Sequence, residues 1–115
     1  MEYLLLKGKQ QINGKIKING AKNAAVAILP AALLTRGTVK IDNLPRITDI
    51  DILLKILKSL GATVSSTGER SISIDSSGVN SFRPPQSMVN KFRASYYFMG
   101  SLLVRFGQVE IPMPG

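Results

Sequence analysis

A short pattern occurs twice in this chain, 70 residues apart, and it narrows the folds open to it. Ala32-Leu33-Leu34-Thr35-Arg36 closes an apolar run, Gly37 follows, and Thr38-Val39-Lys40-Ile41 alternates as a strand should. Leu102-Leu103-Val104-Arg105-Phe106, Gly107 and Gln108-Val109-Glu110-Ile111 repeat that order. Each copy reads as a helix end, a glycine stop and a Gly-x-Val-x-Ile strand. One helical pattern and one hairpin pattern lie between them. The spacing predicts a repeating helix–strand–helix–strand–strand unit of the α/β class, with the chain stopping just inside its second copy. Apolar residues make up 44% of the 115, enough for a packed core and too many for wholesale disorder.

Local patterns fill in the unit. Residues 3–6 and 15–18 read as two short strands joined across Asn13-Gly14, a strong turn dipeptide. Residues 23–34 are Ala-rich and apolar nearly all round, which predicts a buried helix capped by Asn23. Pro30 should kink or divide that helix near Leu29. The best-marked helix can be capped by Thr48, with Asp51 three residues on as the acidic half of a capping box, Asp49 and Asp51 at the positive end of its dipole, and Lys55 and Lys58 toward the negative end. Ile50, Leu53, Leu54, Leu57 and Leu60 define its buried face, and Gly61 stops it. Residues 63–65 and 71–74 form a hairpin around Thr67-Gly68-Glu69, residues 76–87 a loop, residues 88–106 a third helix and residues 108–111 a last strand. On the third helix, Phe92, Tyr96 and Met99 share a face expected to pack, as are Leu102 and Leu103. Ile111-Pro112-Met113-Pro114-Gly115 enters a turn with nothing after it to cover that strand, which predicts further chain beyond.

What is missing bounds the chemistry. There is no cysteine and no histidine, so disulfides, thiolate or imidazole metal sites, thiol nucleophiles and a Ser-His-Asp arrangement fall away. Neither a metal nor a cofactor is expected. No apolar run approaches the roughly 18 residues that cross a bilayer, and the opening residues lack a signal-peptide pattern, so a cytoplasmic address without membrane attachment is the default. Lys and Arg outnumber acidic residues 15 to 7, for a net charge of +8, which suits an anionic partner. The charges are scattered from Lys7 to Arg105, and only 6% of residues are aromatic, a thin basis for nucleic-acid binding. A basic, non-catalytic α/β module for RNA or another anionic polymer is the alternative reading.

Two places could carry chemistry. At Asn19-Gly20-Ala21-Lys22-Asn23-Ala24-Ala25 a strand gives way to a helix, so backbone amides and the dipole favour an anion, and Lys22 adds a full charge beside them. An ordinary strand-to-helix turn with a solvated lysine fits the same spacing. In Lys91-Phe92-Arg93-Ala94-Ser95, Arg93 sits among apolar neighbours, where a guanidinium suits a planar anion; a snorkelling surface arginine fits as well. Asp49 and Asp51 face different directions and need no role beyond the helix start.

These residues carry a resemblance. Ile18-Asn19-Gly20-Ala21-Lys22-Asn23-Ala24-Ala25, Ile28-Leu29-Pro30-Ala31-Ala32-Leu33-Leu34, Asn43-Leu44-Pro45 with Thr48-Asp49-Ile50, Leu60-Gly61-Ala62, and Arg93-Ala94-Ser95 with Arg105-Phe106-Gly107 run in the order of one family. The chain resembles the N-terminal part of the UDP-N-acetylglucosamine 1-carboxyvinyltransferases, the enolpyruvyl transferases that open peptidoglycan precursor synthesis. A sister family making an aromatic amino-acid precursor carries a Gly-Ser-Lys-Ser type turn where this chain has Gly-Ala-Lys-Asn.

The resemblance implies two similar domains of repeated α/β units, an inside-out barrel with helices within and sheets outside. Residues 1–21 would be strands that pack with the second domain, and residues 22–115 the first part of the first. It implies that Lys22 and Asn23 bind phosphoenolpyruvate, with Lys22 also catalytic, and that Arg93 contacts UDP-N-acetylglucosamine. The family adds the sugar 3-hydroxyl to C2 of phosphoenolpyruvate, protonates C3 and eliminates phosphate. Its proton donor, a cysteine or in some members an aspartate, follows a Pro-Gly-Gly turn, and this chain ends at Pro114-Gly115. The loop with a further arginine and the second domain's carboxylate base are also outside these residues, so the resemblance implies no activity for them alone.

Overall fold

A computed structural model describes residues 2–85 and 95–111. Helix α1 (Lys22–Ala31) runs into a 3-10 turn (Ala32–Leu34), followed by β1 (Thr38–Ile41), α2 (Thr48–Leu60), β2 (Thr63–Gly68), β3 (Ser71–Asp75) and α3 (Ser95–Phe106). The three strands form one antiparallel sheet in the order β1-β3-β2. Val39 and Val64 both stand opposite Ile74 from the two sides, and Ile41 stands opposite Ile72. Alternation therefore sends Val39, Ile41, Val64, Ile72 and Ile74 to one face, where they meet the helices. Serines 71 and 73 take the other.

The core is made by α1, α2 and α3 on that face. Leu29, Leu33, Leu53, Ile56, Leu57, Leu60, Ile74, Phe98 and Leu102 are fully buried there. On α2, Ile50, Leu53, Leu57 and Leu60 are buried as their spacing predicts; Leu54 is only half-buried, and Ile56, not expected inside, is fully buried. Asp49 and Asp51 occupy the first turn and Lys58 the last, matching the dipole. Thr48 is not the cap. Ile47, extended and packed on the core, precedes the helix, and its carbonyl accepts from the amides of Ile50 and Asp51.

Gly61 ends α2 in the left-handed region, φ 114°, with its own amide donating to the Lys58 carbonyl and that of Ala62 to Leu57. A Cβ there would stand 2.5 Å from the Gly78 carbonyl oxygen. Gly61→Ala is accordingly expected to lose at least about 1–2 kcal/mol from the backbone conformation alone. A chemical-denaturation midpoint equal to that of the parent chain would contradict this account of the helix end.

Several expectations are corrected. Residues 2–21 contain no strand. All but Gly20 are exposed, with Tyr3 at 86% and Ile12 at 95%, and no described neighbour supplies the ladder that an isolated hairpin needs in water. The last strand is absent too: over residues 108–111 a single backbone bond among the described residues, from the Glu110 amide to the Phe82 carbonyl, replaces a ladder. The second copy of the repeated pattern thus stops at its glycine, which ends α3 with φ 73°. Pro30 does not divide α1 near Leu29. The helix passes through it and tightens to 3-10 geometry after Ala31, where few bonds remain to be lost. The hairpin turns at Glu69-Arg70, because β2 runs on to Gly68 through a bulge between Ser66 and Gly68. On α3 the packed residues are Phe98, Ser101 and Leu102, while Tyr96, Met99 and Leu103 are exposed. Phe92 lies outside the described residues.

One arginine ties three segments together. The Arg105 guanidinium, at the end of α3, donates to the carbonyls of Leu33 (3.1 Å), Thr35 (2.7 Å) and Ser76 (2.6 Å). The buried Ser76 hydroxyl donates to the Thr35 carbonyl at 2.6 Å. Desolvation, and then the charge of Arg36, pull the Arg105 guanidinium below the ordinary arginine range, though a guanidinium remains charged in any such setting. Beside it, Phe82 and Phe106 pack with ring centroids 6.0 Å apart. Arg83 donates twice to Glu110, at 2.7 and 3.2 Å, and that bonding lowers the Glu110 carboxyl below its usual range.

Candidate functional site

The start of α1 is built from the chain that enters it. Ala21 is extended (φ −79°, ψ 134°) and its carbonyl accepts the first helical bond, from the Ala25 amide at 3.1 Å. The boundary therefore falls one residue earlier than the sequence suggests: Lys22 is the first helical residue, and Asn23 is inside the helix rather than its cap. Both side chains are exposed at the positive end of the helix dipole. Lys22 and Asn23 are thus brought together where an anion would be favoured, while Arg93 lies outside the described residues.

Lys22 meets an unexpected neighbour. Its Nζ pairs with Asp49 Oδ2 at 2.5 Å, with 50% of the lysine side chain and 31% of the aspartate side chain still exposed. Asp49 is in the first turn of α2, so the N-terminal ends of two helices converge on one lysine. The expectation that Asp49 needs no role beyond the helix start is corrected. A separation of 27 residues carries no local signal, and only the packing of α1 on α2 reveals the pair.

Residues 18–20 are gripped on the way in. A Cβ on Gly20 would overlap the Asn43 carbonyl oxygen, so only glycine allows this approach. Asn43, at positive φ (56°), donates from Nδ2 to the Ile18 carbonyl at 3.3 Å. Arg70, in the β2–β3 turn, donates to Asn19 Oδ1, and its carbonyl accepts from the Leu44 amide at 2.8 Å. A cleft of about 190 Å³ between α2 and the β2–β3 hairpin has mixed walls, apolar at Leu44, Ile50 and Ile72 and charged at Asp51, Lys58 and Arg70. Lys22 and Asn23 are not among its walls, so the cationic site is the open surface at the helix start.

This α/β arrangement is that of an enolpyruvyl transferase: the fold matches the solved structure of the enolpyruvyl transferase NikO from Streptomyces tendae. The TM-score is 0.72, at 26% identity, covering 87% of this chain and 23% of that one. The chain belongs to the EPSP synthase (3-phosphoshikimate 1-carboxyvinyltransferase) family, whose sequence model matches residues 6–115. Among curated relatives, UDP-N-acetylglucosamine 1-carboxyvinyltransferase 3 of Caldanaerobacter subterraneus subsp. tengcongensis is 49% identical over all 115 residues. The UDP-N-acetylglucosamine 1-carboxyvinyltransferases of Buchnera aphidicola subsp. Acyrthosiphon pisum and Dichelobacter nodosus are 46% and 42% identical over the same length. The chain spans 27% of the length of each of these relatives.

Proposed function

We propose that these residues supply the phosphoenolpyruvate-binding edge of an enzyme that transfers an enolpyruvyl group to the 3-hydroxyl of UDP-N-acetylglucosamine and releases phosphate. The reading places that enzyme in the cytoplasm, at the first step of peptidoglycan precursor synthesis, and so in cell-wall growth, cell shape and division. The observation that carries it is Lys22, charged and half-exposed at the start of α1, in a chain whose curated relatives carry that activity in their names. Lys22 and Asn23 hold the anionic substrate. As the sugar hydroxyl adds to C2 and C3 takes a proton, the Lys22 ammonium stabilises negative charge on the phosphate that leaves, a gain that grows in the transition state. The acid that protonates C3 and the base that takes the hydroxyl proton are supplied from outside these residues. Arg93 binds the diphosphate-sugar, and residues 1–21 become strands only against a second domain, which supplies the partner ladder that residues 2–21 lack here.

The test is a phosphate-release assay on a full-length enzyme that carries these 115 residues at its N-terminus. Release is expected only when both substrates are present. Arg93→Ala is expected to raise KM for UDP-N-acetylglucosamine about 10-fold or more with a smaller change in kcat, as for a charge-assisted bond made equally in ground and transition states. Phosphate release without the sugar would overturn the reaction. A rise confined to KM for phosphoenolpyruvate would overturn the placement of Arg93.

A further inference from the structure

A closely held stretch lies just before α1, at residues 18–20. Two separate elements close on it: the β1–α2 loop through Asn43 and the β2–β3 turn through Arg70. Gly20 has no room for a Cβ against the Asn43 carbonyl. Asn43 keeps a left-handed conformation, which asparagine tolerates better than most residues, and so aims its amide at the Ile18 carbonyl. The Arg70 side chain reaches Asn19, and its own carbonyl is fixed by the Leu44 amide, which joins the turn to the loop. Two residues beyond Gly20 is Lys22, paired to Asp49. A lysine on the first residue of a helix inherits its position from the chain before it, since no earlier helical turn holds it.

We propose that Asn43 and Arg70 are positioning residues for Lys22: by clamping residues 18–20 they set where α1 begins, and so where the ammonium meets Asp49 and an arriving anion. The proposal rests on the phosphoenolpyruvate role given to Lys22 above. Neither residue touches substrate. Their effect is to keep the lysine in one place before the anion arrives, so that binding does not have to order it.

Asn43→Gly removes the amide donor while keeping the positive φ, and Arg70→Ala removes the guanidinium; Arg70→Lys restores a cationic donor. Each variant is made in the full-length enzyme carrying these residues and read in two ways. Hydrogen–deuterium exchange by mass spectrometry follows peptides over residues 16–26, and steady-state kinetics give KM for each substrate. In Asn43→Gly with Arg70→Ala, exchange over 16–26 is expected to quicken about 10-fold while α2 and β3 are unchanged. KM for phosphoenolpyruvate is expected to rise about 5–20-fold with KM for the UDP-sugar unmoved, the scale of a small misplacement near a reacting group. Arg70→Lys is expected to recover part of both changes. Unchanged exchange over 16–26 overturns the clamp. Faster exchange across α2 and β3 as well, with both KM values raised, overturns it in favour of general destabilisation. Faster local exchange with KM for phosphoenolpyruvate unmoved overturns the positioning role. A parent enzyme with no enolpyruvyl transfer would instead strike the proposed function, and the clamp would then be decided by exchange alone.

Discussion

Lys22→Ala, in a full-length enzyme carrying these residues, is expected to lower kcat by about 10²–10³-fold, the usual cost of deleting one preorganised electrostatic contact to developing charge. KM for phosphoenolpyruvate should rise as well. The substitution removes the ammonium and also leaves the Asp49 carboxylate without its lysine partner beside the proposed anion site, where its charge repels the substrate. Stability should hardly change, because the pair is partly exposed and such pairs contribute about 1 kcal/mol or less. That contrast makes the experiment informative: a large fall in kcat with an unshifted melting curve assigns the loss to chemistry. Kinetics near those of the parent enzyme would remove Lys22 from the site.

The second large effect is on folding. Phe98 is the largest fully buried side chain among the described residues, and it joins α3 to the core. Phe98→Ala is expected to cost about 3–5 kcal/mol, from lost burial and the cavity left behind. Set against a typical domain stability of about 5–15 kcal/mol, that is a large share. Tyr97→Ala, next in sequence but half-exposed, should change stability by only about 0.5 kcal/mol. Urea unfolding of the two variants under one set of conditions separates them. Equal shifts would mean that α3 is not anchored through Phe98.

Much of this could be read from the residues. Thr38–Ile41 as a strand, Gly61 as the end of α2, most of α2's buried face and the cationic start of α1 all follow from local pattern, because each is decided within a few residues. The errors share a different cause. Residues 15–18 and 108–111 alternate as strands do and residues 3–6 are a short apolar run, yet pairing is a property of two segments, and no described neighbour supplies a partner ladder. Tyr96, Met99 and Leu103 are as apolar as Phe98 and Leu102, so periodicity alone could not choose the buried side of α3. In the site, Lys22 and Asn23 stand out by their place after Gly20. Asp49, Asn43 and Arg70 do not, since their roles arise only when distant loops fold against residues 18–22.

The strand order β1-β3-β2 also dictates how the sheet can be assembled. Its central strand is the last of the three to be synthesised, and the first and second never bond to each other. On a ribosome, Thr38–Ile41 waits unpaired while α2 and β2 emerge, and gains a partner only once the chain through Asp75 is free. The local hairpin of β2 and β3 can close by itself, whereas adding β1 must first bridge the whole α2 connection, a slower entropic step. A nascent chain halted before residue 71 therefore has helices but no sheet for them to cover, and β3 is the single piece whose arrival converts one into the other.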